Sequence, residues 1–274
     1  MSRLGPDALR YLALANGEQV PRPFHLRWLL PTVCGEEHAA WQAVRRAAWV
    51  VAALGMSGWC LAAGMSWQAA TAATVLLLAL PGILGPQVVN PVGVDLPATA
   101  VTLLGAFLFE LGNPLRIAGA LALWCVAAAI KETSPVWAAL WVWSPIPLAA
   151  LAAVAVRALL VKPGPDPLGP RFQHIADHPI RSALDAHRTQ WRNGWIMLAP
   201  WGACLAALYA PSWQLVVVLA VAYAQLFVAT DTVRLLHHAA GPVMAMMAAQ
   251  TIPMNWLMIV VVLHTFWFRN PERL

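Results

Sequence analysis

Residues 94–131 read VDLPATAVTLLGAFLFELGNPLRIAGALALWCVAAAIK. Two apolar runs, 94–112 and 115–131, lie on either side of the short turn sequence GNP at 112–114. A helix rises about 1.5 Å per residue, so roughly 20 apolar residues cross the hydrocarbon core of a bilayer. Glycine and proline between two such runs are typical of a tight turn. The stretch therefore predicts a hairpin of two transmembrane helices.

The same pattern extends over most of the chain. Of its 274 residues, 60% are hydrophobic and only 11% are charged, whereas a soluble domain carries about 25% charged residues. The mean hydropathy is +0.64. By length and apolar character, the predicted spans are 41–63, 67–85, 94–112, 115–131, 135–160, 194–210, 212–230 and 243–267. The sequence thus predicts an all-α membrane protein, a polytopic helical bundle of about eight transmembrane helices.

The first 38 residues differ from the rest, because charges interrupt them and no apolar run is long enough to span. Pro21, Pro23 and Pro31 exclude a long helix here. We therefore predict an amphipathic interfacial segment that lies in the headgroup zone. The predicted domains are this segment (1–38), transmembrane helices 1–5 (39–161), a basic loop containing Pro and His (162–193), and transmembrane helices 6–8 (194–274).

The net charge of +5 indicates an anionic partner. The arginines flank the predicted spans and form no basic run interleaved with aromatics, so membrane lipid is favoured and nucleic acid is excluded. Basic residues divide almost equally between the two sides, so the positive-inside rule assigns no orientation. The predicted location is the inner (plasma) membrane, as an integral multi-pass protein.

Charged side chains at the ends of the predicted spans are functional candidates, because a charge near the membrane core is costly. Lys131 and Glu132 end the 115–131 run. They form either a charged hairpin turn or a cation and carboxylate that face an anionic lipid headgroup. Adjacent residues on a helix do not face each other, so the two do not simply pair. Asp95 suits an N-cap better than a catalytic role.

Asp231 and Arg234 are three residues apart, so they share a helix face and can pair. A helix end explains them as well as a binding site does. The neighbouring His237 and His238 have no third ligand at a suitable spacing, and the four cysteines show no CxxC pattern. Nucleotide-binding signatures such as GxGxxG are also absent from the sequence. We predict no metal site and no cofactor.

The N-terminal segment combines carboxylates with arginines. Asp7, Glu36 or Glu37 can take a proton from an incoming hydroxyl as general base. Arg22 and Arg27 can hold a phosphate through two parallel hydrogen bonds. A solvated amphipathic anchor without chemistry is the alternative explanation of the same residues.

Several motifs occur together in an order that resembles one known superfamily. They are DxxxYxxxAxG at 7–17, PFxxRxLxP at 23–31, the KE pair at 131–132, DxxR at 231–234 and PxxW at 253–256. In this order they resemble the GT-C-type membrane glycosyltransferases and their uncharacterised bacterial relatives. The resemblance is spread thinly over nearly the whole chain. Family members have a span before the acidic segment and are usually longer, and this chain departs from both features.

The resemblance implies that a sugar passes from a polyprenyl-phosphate donor to an acceptor hydroxyl at the outer membrane face. It places Asp7 in the position of the catalytic acid, with Glu36 or Glu37 as substitutes. It makes Arg27 and Lys131 the candidates for the departing phosphate. The substrate-binding residues predicted in all are Arg22, Arg27, Asp95, Lys131, Glu132, Asp231 and Arg234.

Two non-enzymatic functions are alternatives to the glycosyltransferase. The chain is alternatively a non-catalytic membrane subunit of a larger assembly, with membrane proteins as partners, or a small transporter. Transporters often contain internal repeats, and the sequence shows no convincing one, which disfavours transport. A structural subunit needs only apolar helices, so composition does not exclude it.

Overall fold

Helices joined by short connections make up the structure, a computed structural model that describes residues 5–84, 92–190, 198–228 and 232–267, and these residues contain no β-strand. The helices include α1 (Pro6–Ala15), α2 (Leu29–Cys34), α3 (His38–Ala62), α4 (Trp67–Leu78), α5 (Asp95–Glu110), α6 (Pro114–Ile130), α7 (Ser134–Trp141), α8 (Leu151–Leu160), α9 (Pro170–Asp177), α10 (Pro179–Gln190), α11 (Trp213–Ala224), α12 (Thr232–Thr251) and α13 (Met254–Trp267). Shorter 3₁₀ segments occupy Phe24–Leu26, Ile146–Ala150, Ala199–Tyr209 and Gln225–Phe227. Two helices, α9 and α10, fall in the stretch 162–193 that was predicted as a loop.

The chain divides into two compact units. Unit 1 comprises Met1–Gly55 and Gln87–His178, and unit 2 comprises Met56–Pro86 and Pro179–Leu274. Because α3 runs from His38 to Ala62, the division falls inside this helix.

In unit 1, α1 begins with Pro6 at its first position, where the missing N–H of proline costs nothing. It ends before Gly17, whose φ of +77° suits glycine best. Its apolar face carries Ala8, Tyr11 and Ala13, all buried. These side chains join a core cluster with residues such as Ile130 at the end of α6. The N-terminal segment is therefore packed into a protein core, and the predicted amphipathic interfacial segment is wrong.

Helices α5 and α6 form the central pair of unit 1 and pack closely along their length. The turn between them is made by Asn113, whose side chain accepts a hydrogen bond from the Leu115 N–H at 2.9 Å. Farther along, the indole N–H of Trp124 donates to the Thr102 carbonyl at 3.3 Å. Because the two helices run in opposite directions, Asp95 at the start of α5 comes next to Lys131 at the end of α6.

In unit 2, α12 packs against α4, the 3₁₀ segment at 199–209 and α11. Two buried histidines join these elements. The His237 ring accepts from the Gly82 N–H at 2.8 Å. The His264 ring accepts from the Ala203 N–H at 3.1 Å and bonds to the Leu76 carbonyl at 3.1 Å.

The lengths of these helices overturn the predicted membrane bundle. Among the described residues, no helix combines the length and the apolar character that crossing a bilayer requires. The predicted spans 67–85 and 135–160 contain α4, α7 and α8, of 12, 8 and 10 residues, against the roughly 20 that a span needs. The longer α3 carries Arg45 and Arg46. The predictions of about eight transmembrane helices and of an integral multi-pass location in the inner membrane are therefore wrong.

Candidate functional site

A cluster of buried and partly buried charges in unit 1 contains half of the site residues predicted from the sequence. We call it the charge cluster, and its members are Asp7, Arg10, Arg27, Asp95, Lys131, Glu132 and Asp166. The phenol of Tyr11 lies close to three of them, Asp7, Arg27 and Asp95.

The central contact is a bidentate ion pair between Arg27 and Glu132. Nε of Arg27 donates to Oε2 at 2.7 Å, and Nη2 donates to Oε1 at 2.8 Å. Nη1 donates to the Tyr11 hydroxyl at 2.9 Å. A guanidinium has five N–H donors in a planar fork. Three of them are used here, so one guanidinium binds both Glu132 and Tyr11.

Burial and pairing act in opposite directions on these groups. Burial by itself lowers the pKa of Arg27, but the Glu132 carboxylate and the Tyr11 oxygen raise it well above its usual value. Burial by itself raises the pKa of Glu132, but the Arg27 guanidinium brings it below its usual value. Both partners are thus charged at neutral pH.

Tyr11 stays protonated. Burial raises the pKa of its phenol above the ordinary range, against the opposing influence of Arg27, and the nearby carboxylates of Asp7 and Asp95 add to the rise. A neutral hydroxyl both accepts and donates hydrogen bonds. Tyr11 is therefore the neutral centre of the charge cluster, with carboxylates from α1 and α5 close to it.

The adjacent residues Lys131 and Glu132 pair with different partners. The ammonium of Lys131 donates to Oδ1 of Asp95, the first residue of α5. Val94 occupies the N-cap position of that helix and no side chain caps it, so Asp95 is not the N-cap. The Asp95 side chain is 14% exposed and that of Lys131 is 10% exposed. This pair closes the α5–α6 hairpin at the end where the charge cluster lies.

Arg10 links α1 to the stretch before α9. Its Nε and Nη2 both donate to Oδ2 of Asp166, at 3.0 and 2.6 Å, and its Nη1 donates to Oδ1 of Asp7 at 3.2 Å. The Asp166 side chain is fully buried, whereas that of Asp7 is 30% exposed. Among the carboxylates of the charge cluster, Asp7 is consequently the most accessible to a substrate.

The ring of Phe24 lies close to both arginines. The guanidinium carbons of Arg10 and Arg27 lie 4.7 and 5.1 Å from the centre of the Phe24 ring. The Tyr11 ring lies 5.5 Å from the same ring. Arginine above an aromatic face is attracted to the negative charge of that face. Phe24 thus adds an attractive contact to each guanidinium, beside the carboxylate with which that guanidinium pairs.

The structure brings together five of the ten predicted site residues, namely Asp7, Arg27, Asp95, Lys131 and Glu132. Three others lie at the surface of unit 1: Arg22, Glu36 and Glu37 are exposed, and Glu36 accepts a hydrogen bond from Asn16 at 2.5 Å. Arg234 is on α12 in unit 2. Asp231 lies outside the described residues.

Sequence reasoning missed Arg10 and Asp166. A signal for Arg10 was present, because it follows Asp7 by three residues and so shares its helix face. No local signal indicates Asp166, which lies 156 residues from its partner in a connection rich in proline and glycine.

No group of three or more His, Cys, Asp or Glu residues arranged to hold a metal ion occurs in the part of the chain that the structure describes. Comparison with known proteins adds no relative. No family model matches the chain, and neither the curated proteins nor the solved structures contain a protein that matches it. The resemblance to GT-C-type glycosyltransferases therefore stays a prediction from the motifs.

Proposed function

We propose that unit 1 is the catalytic unit of a glycosyltransferase that takes its sugar from a polyprenyl-phosphate donor, with Asp7 as the general base. The observation that carries the proposal is the grouping of Asp7 and Asp95 near Tyr11, with Glu132 held by the Arg27 that also bonds to Tyr11, and with Asp7 the most accessible of the three carboxylates. A base must reach the hydroxyl from which it takes a proton, and Asp7 meets that condition best.

In the proposed step, the Asp7 carboxylate takes the proton of an acceptor hydroxyl, whose oxygen attacks the anomeric carbon of the sugar. The bond between that carbon and the phosphate oxygen breaks, and the lipid phosphate leaves with the electron pair. Positive charge develops on the sugar ring in such transition states. Three cations and four carboxylates give the charge cluster one net negative charge. A net negative site stabilises the developing positive charge.

The test measures sugar transfer by the purified full chain from polyprenyl-phosphate-linked radiolabelled glucose. Asp7→Asn keeps the shape of the side chain and removes the base. We expect it to lower turnover about 10²-fold or more, while the thermal unfolding midpoint stays close to that of the parent.

The matched control is Glu18→Gln, which changes an exposed carboxylate in the same N-terminal segment and should leave turnover unchanged. Loss of turnover in Glu36→Gln or Glu37→Gln, with Asp7→Asn fully active, would overturn the assignment of the base to Asp7. Absence of any sugar transfer by the parent chain would overturn the proposal itself.

A non-catalytic subunit of a larger assembly is the second candidate function. The observation that favours it is the exposure of Val156 (56%), Leu159 (86%) and Leu160 (76%), which share one face of α8 in unit 1. Contiguous exposed apolar surface marks a site of interaction. In a purely structural subunit, Asp7→Asn has no turnover to lower, so the same assay separates the two functions.

A further inference from the structure

An apolar groove of about 490 Å³ lies in unit 1, beside the charge cluster. Leu26 and Trp28, which flank Arg27 in the sequence, line one wall. Val126 and Ala129, near the end of α6, line another wall, and α8 contributes further side chains that include Leu160. The volume lies in the range of pockets that bind small molecules. Its lining suits a hydrocarbon chain.

Arg157 on α8 is the one charged residue among those that line this groove, within the described ranges. Its Nε donates to the His25 backbone carbonyl at 3.4 Å, and its guanidinium lies 5.7 Å from the centre of the Trp28 ring. No carboxylate of the described residues forms an ion pair with it. Its terminal Nη1 and Nη2 groups therefore keep their N–H donors for a ligand.

This arrangement contrasts with the cations of the charge cluster. Arg10, Arg27 and Lys131 each already hold a carboxylate, and the cluster as a whole is negative. An anion entering unit 1 is repelled there and attracted at Arg157. A guanidinium binds phosphate through two parallel hydrogen bonds, so its chemistry fits a phosphate group on the wall of the groove that α8 forms.

We propose that the groove binds the hydrocarbon chain of a long-chain phosphate ester, both as the sugar-bearing diester and as the monoester that remains after transfer, and that Arg157 binds its phosphate. The inference deepens the proposed function, on which it rests for the class of donor, and it moves the phosphate from Arg27 and Lys131 to Arg157. His25 links the two places, because both Arg157 and Glu132 lie close enough to influence it. A phosphate on Arg157 would thus lie in the neighbourhood of the charge cluster.

The test is isothermal titration calorimetry of the full chain with octyl and decyl phosphate below their micelle concentrations. Each buried methylene contributes about 0.8 kcal/mol, so each added carbon should tighten binding about fourfold. Decanol and inorganic phosphate are the comparison ligands. We expect both to bind at least tenfold more weakly than decyl phosphate, since each lacks one half of the ligand. Inorganic phosphate that binds as tightly as decyl phosphate would mean a free-phosphate site and would overturn the groove.

The key variant is Arg157→Gln, which should weaken decyl phosphate about tenfold or more because a charge-assisted hydrogen-bonded pair is lost, and should leave decanol unchanged. Arg116→Gln, at an exposed arginine of the same unit, is the matched control and should bind like the parent. Unchanged affinity in Arg157→Gln would refute the role of Arg157.

A second variant keeps the proposal testable if Arg157→Gln unfolds. Ala153→Trp places a large side chain in the groove, where Ala153 lines the wall, and should abolish the gain in affinity from octyl to decyl phosphate. A gain that persists in this variant would overturn the groove as the chain site.

The Asp7→Asn variant, which lacks the proposed base, distinguishes ligand binding from catalysis. Decyl phosphate should bind this chain as it binds the parent. If decyl phosphate binds in an Arg157-dependent manner but the parent chain transfers no sugar, the proposed function is overturned and the binding groove is not. Sugar transfer that is unaffected by Arg157→Gln or Ala153→Trp would overturn the groove as the donor site and leave the proposed function in place.

Discussion

At the scale of single residues, the Arg27–Glu132 pair ties the N-terminal segment to the end of α6. We expect Glu132→Gln to destabilise the protein by about 3 kcal/mol at pH 7, because it leaves Arg27 buried without its counter-charge. The pKa of Glu132 is lowered in the fold. Its contribution is therefore complete above the unfolded value of about 4.5 and is lost as the pH falls through the folded value.

The measurement is urea unfolding of parent and variant at pH 7 and at pH 3, where the difference between the two should shrink. Glu37→Gln, at an exposed glutamate, serves as the control and should change stability by less than about 0.5 kcal/mol. If Glu132→Gln lowers the free energy of unfolding equally at both pH values, Glu132 does not stabilise the protein through charge pairing.

The sequence indicated which residues belong to the charge cluster better than it indicated their partners. Lys131 and Glu132 stand out because charge is rare in their neighbourhood. Their partners Asp95 and Arg27 lie 36 and 105 residues away. Such pairings depend on how helices pack, which no local pattern records. The expected phosphate ligands Arg27 and Lys131 accordingly hold carboxylates in the structure.

At the scale of elements, the α5–α6 hairpin depends on the absence of a side chain at Gly105. A Cβ there would lie 2.4 Å from Nε1 of Trp124, so Gly105→Ala forces this buried indole to move. We expect a loss of about 1–3 kcal/mol in the free energy of unfolding, as is typical of overpacked cores. Thermal or urea unfolding measures it.

Gly119 on α6 is the matched control, because a Cβ there would meet Leu108 Cδ1 at an ordinary 3.4 Å. Alanine is favoured over glycine inside a helix by about 1 kcal/mol, so Gly119→Ala should stabilise the protein slightly. Destabilisation of the same size in both variants would contradict the proposed packing of Gly105 against Trp124.

The turn of this hairpin was predictable, since turn chemistry is local. The turn sequence GNP at 112–114 was predicted from the sequence, and in the structure Asn113 caps α6 and Pro114 is its first residue. The lengths of other elements were not predictable in this way. The apolar run 135–160 divides into α7, a 3₁₀ segment and α8. Hydrophobicity alone does not distinguish one long helix from several short ones that share an apolar composition.

At the scale of the whole molecule, the two units lose stability over different ranges of pH. In unit 2, burial lowers the pKa of His237 to about 3 and that of His264 to about 4. Both folded values lie below the unfolded value of about 6.5. Each histidine therefore contributes fully above pH 6.5, and its contribution falls by about 1.4 kcal/mol per pH unit as the pH drops toward the folded value.

In unit 1, Glu132 loses its contribution only below about pH 4.5, while His25, whose pKa burial also lowers, adds a smaller loss from pH 6.5 downward. Acid should consequently open unit 2 first. Buried thiols report this opening, with Cys204 in unit 2 and Cys34 in unit 1. In a series of buffers from pH 7 to pH 3, dithiodipyridine should label Cys204 at a higher pH than Cys34, as mass spectrometry of the labelled peptides would show.

A substitution at His264 tests whether buried histidines cause unit 2 to open at a higher pH than unit 1. His264→Gln removes a titrating ring and should move the labelling midpoint of Cys204 to lower pH, because unit 2 then takes up one proton fewer when it unfolds in acid. His38→Gln changes an exposed histidine and should leave both midpoints in place. If the two cysteines are labelled together, or if the Cys204 midpoint is unmoved in His264→Gln, then buried histidines do not set the acid stability of unit 2.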